Sequence, residues 1–125
     1  MLPLLVYKGI IMSYYEEFAI VLSPEADKQF VEFVSKHINK EIRHLLVHNT
    51  YICENKKTGS KLYYWDFINN YLIDNIINFL ETLDTDLYQY IYVIDEYNEI
   101  KEGGSYSDDN FIMYPVTYIH IEGEE

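Results

Sequence analysis

Apolar residues recur along this chain with two periods, and the switches between them mark out the elements. Phe18, Ala19, Ile20, Val21 and Leu22 form a short apolar run after Glu17 that reads as a strand. Ser23-Pro24 then opens a helix. Ser caps it, and Pro fits a first turn where its missing N–H costs nothing. Ala26, Phe30, Phe33, Val34 and Ile38 follow at helical spacing, with Lys28, Glu32, Lys36 and Lys40 on the opposite, solvated side. Residues 44–54 and 61–67 read as two strands joined by the turn Asn55-Lys56-Lys57-Thr58-Gly59-Ser60. A second helix is predicted over 68–83, burying Leu72, Ile73, Ile76, Ile77, Leu80 and Leu83, and Asp84-Thr85-Asp86 ends it. Residues 87–94 alternate most clearly: Tyr88, Tyr90 and Tyr92 share one face, and Leu87, Gln89, Ile91 and Val93 the other. Residues 95–110 read as a loop, with the pair Gly103-Gly104 as a turn inside it. Residues 111–121 read as a last strand in which Pro115 requires an edge or a bulge.

The predicted order is β-α-β-β-α-β-β. It gives a single α+β domain over residues 12–125: a mostly antiparallel sheet with two helices on one face. The first six elements follow the order of a ferredoxin-like sandwich. Residues 1–11 are apolar but lack the basic lead and small-residue cleavage site of a signal peptide. They are also shorter than the ~20 residues that span a bilayer, and read as an extra strand or an N-terminal extension. Cys53 is the single cysteine, which fits a reducing cytoplasm, and its setting Thr50-Tyr51-Ile52-Cys53 reads as a buried structural position.

Charge changes this picture. Residues 1–61 carry eight Lys/Arg against seven acids, whereas residues 62–125 carry fourteen acids and one base, Lys101. Ten of the fourteen tyrosines also lie in the acidic part. Six acids fall within 95–110: Asp95, Glu96, Glu99, Glu102, Asp108 and Asp109. Such a surface repels nucleic acid and attracts proteins that bind it. Direct nucleic-acid binding, which needs a basic stripe, is thereby excluded; Lys56, Lys57 and Lys61 make only a small basic turn.

Catalytic patterns are weak by comparison. His44 and His48, on a strand, would lie about 13 Å apart, too far to share one metal ion. His48-Asn49-Thr50 resembles one of the two His-x-Ser/Thr motifs of two-histidine phosphodiesterases, where paired histidines serve as base and acid. The second motif departs from that pattern, because His120-Ile121-Glu122 places a carboxylate where a phosphate-holding hydroxyl is required. Gly103-Gly104 sits among acids and cannot cradle a phosphate, and Asp108-Asp109-Asn110 lacks the calcium-loop pattern. No cofactor and no metal site is expected.

A short, acidic, Tyr-rich chain with no catalytic motif is similar in kind to the small inhibitors that phages make against host defences, the anti-CRISPR and anti-restriction proteins. The resemblance is one of character over the whole chain and rests on no motif. It implies a non-enzymatic viral inhibitor in the host cytoplasm that offers carboxylates in place of DNA phosphates and docks on a basic nuclease or other nucleic-acid-binding effector. The near-neutral first half of the chain favours one acidic face over whole-surface DNA mimicry. The expected partner-binding residues are Asp84, Asp86, Asp95, Glu96, Glu99, Glu102, Asp108 and Asp109, with Tyr97 and Tyr106 as anchors and Tyr88, Tyr90 and Tyr92 beside them. An immunity protein against a basic toxin nuclease would use the same physics. A phosphodiesterase using His48 and His120 is the catalytic alternative. A Tyr-bearing strand edge could also pair two subunits into a homodimer.

Overall fold

The computed structural model describes residues 16–37, 43, 51–66, 70–94, 99–115 and 119–123. Its centre is β1 (Glu16–Leu22), whose seven residues are all buried. It pairs antiparallel with β3 (Lys61–Asp66) on one side and β4 (Tyr88–Ile94) on the other. β2 (Tyr51–Glu54) lies outside β3 and β5 (Glu99–Gly104) outside β4, so the sheet order is β2-β3-β1-β4-β5. Helix α1 (Pro24–His37) connects β1 to β2, and α2 (Asn70–Leu80) connects β3 to β4. Each helix thus joins two parallel strands with a third, antiparallel strand between them. The ferredoxin-like order is therefore present, extended by one strand.

Local chemistry fixes the elements where the sequence points. The Ala26 N–H donates to Ser23 Oγ at 3.2 Å, capping α1, and Glu25 and Asp27 in the first turn complement the helix dipole. Gly59 takes a left-handed φ of +83° that closes the β2–β3 turn, where the Gly59 N–H donates to the Asn55 carbonyl at 2.7 Å.

Both faces of the sheet are covered. On the helix side, Phe18, Ile20 and Leu22 of β1 pack with Tyr63, Trp65, Tyr88, Tyr90 and Tyr92 beneath Ala26, Phe30, Ile73, Ile76 and Leu80. Aromatic rings set the packing here: Trp65 stacks on Phe18 at 5.3 Å and on Tyr63 at 5.9 Å. On the opposite side, Ala19, Val21, Leu62, Ile91 and Val93 pack against Phe111, Met113 and Ile119.

Two expectations are corrected. Residues 95–110 are not a loop throughout: Glu99–Gly104 is strand β5, paired antiparallel with β4. Its residues lack apolar alternation because it is an exposed edge, so periodicity does not report it. Gly103-Gly104 is accordingly the end of a strand. The last predicted strand is two, β6 (Ile112–Pro115) and β7 (Ile119–Glu122), paired with each other as a separate two-stranded sheet. Pro115 sits at the end of β6, opposite Ile119, where a missing N–H is tolerated. Among the described residues, no helix is long and apolar enough to cross a membrane.

Candidate functional site

The acids of this chain divide into two populations, and that division locates the candidate site. One population is buried and bonded. Glu16 accepts from the Tyr92 hydroxyl at 2.8 Å. Glu17 accepts from the Tyr64 hydroxyl and from the Ile119 N–H at 2.8 Å, which ties β7 to the central strand. Asp27 accepts from the Tyr63 hydroxyl at 2.5 Å and meets Lys61 Nζ at 3.2 Å. Burial first, then the bond to Asp27, raises the Tyr63 phenol far above its ordinary range. Tyr92 is raised likewise by burial and then by Glu16.

Asp108 belongs to this population, which corrects its assignment to a docking surface. It is 7% exposed, and its carboxylate accepts from Asn55 Nδ2 at 3.0 Å, Thr58 Oγ1 at 2.8 Å and the Asn110 N–H at 2.9 Å. Burial opposes ionisation. Hydrogen bonds from Asn110, Asn55, Thr58 and Ser60 outweigh it and hold the carboxyl below its usual value. Tyr106 is half-buried; its hydroxyl bonds to the fully buried Ser60 and its ring packs on the Ala19/Val21 side of the sheet. Asp108 and Tyr106 together fasten the segment after β5 to the β2–β3 turn. Tyr88, Tyr90 and Tyr92 are also core residues, buried beneath the helices.

The second population is exposed: Glu25, Glu32, Glu54 and Asp66 are spread over α1, β2 and β3, and a further group lies on and around β5. Glu99 and Glu102 are exposed on it, Asp84 and Asp86 are exposed just before β4, and Asp109 is exposed after β5. The short 3-10 turn Thr85–Leu87, which carries Asp86, is held against the end of β5: the Ser105 N–H donates to the Thr85 carbonyl at 2.7 Å. Register assigns the faces. Lys101 pairs with Tyr92 and Gly103 with Tyr90, so Glu99, Lys101 and Gly103 share the helix side. Ile100 and Glu102 pair with Val93 and Ile91 and share the β6–β7 side. The acids therefore line both sides of one edge.

Backbone freedom makes this edge. A Cβ on Gly103 would lie 2.4 Å from the Tyr90 ring, so only glycine lets that ring cover the strand. Gly104 has φ +81°, and a Cβ there would lie 2.0 Å from the Tyr88 carbonyl oxygen. The left-handed turn it makes brings the Tyr106 N–H to that carbonyl at 3.0 Å.

Two acids that sequence reasoning passed over join the rim. Glu81, exposed just past α2, accepts from the Tyr90 hydroxyl at 3.2 Å. Burial and then the Glu81 charge raise the Tyr90 phenol to about 12. Asp74, exposed on α2, bears together with Glu99 on the Tyr92 hydroxyl. Their signal was available: Asp74 and Glu81 are seven apart, two helical turns, and so fall on one side of α2. Lys101, the one base of the acidic half, lies with Nζ 6.0 Å from the centre of the Tyr92 ring.

Asp95, Glu96, Tyr97 and His48 lie outside the described residues. His120 lies on β7, opposite Tyr114 in the register. Cys53 is half-buried on β2 rather than in the deep core. Among the described residues, no group of three or more His, Cys, Asp or Glu could hold a metal ion. No family model, curated protein or solved structure matches this chain.

Proposed function

We propose that this protein is a non-enzymatic binding protein whose acidic β5 rim docks on a basic surface of another protein, one that itself handles nucleic acid. A phage inhibitor of a CRISPR or restriction nuclease is the class whose chemistry fits. The observation that carries this reading is the contrast between the two acid populations. Glu16, Glu17, Asp27 and Asp108 are bonded inside the fold, whereas Glu99, Glu102, Asp84 and Asp86 stand exposed along one sheet edge and its adjoining turn. Crowded exposed carboxylates repel one another and contribute nothing to the core. A Lys/Arg-rich partner relieves that repulsion, and the carboxylates supply steering and register in return.

The test is capture from cell extract at low salt with the wild-type chain and with a fourfold variant, Asp84→Asn, Asp86→Asn, Glu99→Gln and Glu102→Gln. Affinity for the identified partner is then measured by calorimetry over a series of salt concentrations. Affinity should fall steeply with salt, the variant should bind at least about tenfold more weakly, and DNA should compete. An affinity indifferent to salt and to the four substitutions would sink the reading.

A further inference from the structure

We propose that the edge of β5 that no described strand covers takes up an extended basic segment of the partner as a sixth strand of the sheet. This specifies the partner of the rim described above and rests on that docking reading. Among the described residues the sheet ends at β5, which is hydrogen-bonded to β4 on one side and to no described strand on the other. In an edge strand, alternate residues turn their N–H and C=O groups outward, a template for another strand. Edges are ordinarily guarded by lysines that project past the rim. Here the strand's one lysine, Lys101, is drawn back over the Tyr92 ring, and Gly103 has no side chain to obstruct the approach. Ile100 stands 43% exposed between the two glutamates, an apolar foothold on an otherwise charged edge.

The chemistry of the incoming segment follows from the register. Glu99 faces the helix side, where Asp74 and Glu81 add negative charge, and Glu102 faces the other side. A strand laid along β5 places alternate residues on alternate faces. Its residues opposite Glu99 and Glu102 are therefore basic, and the one opposite Ile100 is apolar. A second copy fits badly, because a chain of net charge −12 would meet its own acidic rim. Among the described residues the opposite edge is β2, whose one acid, the exposed Glu54, stands beside the exposed Lys56 and Lys57, so it favours a basic strand less.

The probe is a ten-residue peptide with Arg-Val-Val-Arg at its centre, titrated against the intact protein. A Glu-Val-Val-Glu control and two N-methylated forms, blocked at one or the other set of alternate residues, accompany it. Methylation at one set removes the donors that face β5; methylation at the other leaves them. Strand addition requires that one methylated form bind at least about tenfold more weakly than the parent while the other binds like it. It also requires slowed amide exchange in β5 and no binding of the acidic control. Equal binding of both methylated forms overturns strand addition and leaves salt-dependent docking standing. Failure of every peptide, with the fourfold acid variant still losing its captured partner, also overturns strand addition alone. A β5-paired homodimer in sedimentation that excludes the peptide overturns it as well.

Discussion

The interior of this sheet and its β5 edge are built from the same residue types and put them to opposite use. Inside, each carboxylate meets donors: Tyr92 on Glu16, Tyr64 and Ile119 on Glu17, Tyr63 and Lys61 on Asp27. At the edge, Glu99, Glu102, Asp84 and Asp86 are exposed to water. A buried carboxylate is tolerated only with its bonds made, so the inner acids are structural. An exposed one adds little to stability and is available to a partner. Acidity in this molecule is thus two properties, and composition reports only their sum.

The sharpest way to break the contrast is to remove an inner acid. Glu17→Ala leaves the Tyr64 hydroxyl and the Ile119 N–H without their acceptor between the central strand and β7. Urea unfolding should show a loss of about 2–5 kcal/mol. A loss below about 0.5 kcal/mol would show that Glu17 is not structural.

Next in size is Asp108→Ala, which strands the buried Asn55 amide and takes one acceptor from the Thr58 hydroxyl and the Asn110 N–H, with an expected loss of about 1–3 kcal/mol in the same measurement. Its pH dependence has a definite sign. The folded state holds this carboxyl below its ordinary value, so it binds its proton less readily than the unfolded chain. Its stabilisation is fully present above the ordinary aspartate value, about 3.9, and is lost as pH falls through the folded value. Asp108→Asn should therefore flatten the acid limb of the stability curve, and an unchanged limb would contradict the bonded arrangement.

The tyrosines give the alkaline counterpart. Tyr90 is raised to about 12, so its contribution is complete below the ordinary phenol value, about 10, and is lost as pH rises toward 12. Tyr90→Phe should reduce the alkaline loss of stability between those values, followed by circular dichroism. It should cost about 0.5–1.5 kcal/mol at neutral pH, the scale of one hydrogen bond.

The smallest expected change in stability belongs to the edge. The fourfold variant at Asp84, Asp86, Glu99 and Glu102 should unfold within about 0.5 kcal/mol of wild type while losing its partner. A large destabilisation would place these acids with the inner population and erase the contrast.

Much of the framework was legible in the residue pattern. The apolar run Phe18–Leu22, the Ser23-Pro24 helix start, the 3.6-residue stripe of α2 and the alternation of β4 each depend on neighbours in sequence, and each element is present. β5 was not legible, because Glu99-Ile100-Lys101-Glu102-Gly103-Gly104 has no apolar face to bury; its strand conformation comes from pairing with β4 and from Tyr90 lying over Gly103. The division of the last predicted strand into β6 and β7 was equally hidden, since both carry the apolar residues that one strand would carry. Within the candidate site, Glu99 and Glu102, expected from the sequence to bind a partner, are exposed. Asp108 was not distinguishable from Asp109 beside it, because its bonds reach Asn55 and Thr58 across the fold.

By itself the sequence determined an α+β chain with a two-period apolar pattern and a strong excess of acid and tyrosine in its second half. Local spacing and capping suffice for the first, and counting for the second. Only the tertiary structure decided which tyrosines donate to which carboxylates, because those pairs join residues distant in the chain, as Glu16 and Tyr92 do. It also decided that β5 is the last of the described strands on its side of the sheet, and so which acids stand along that edge.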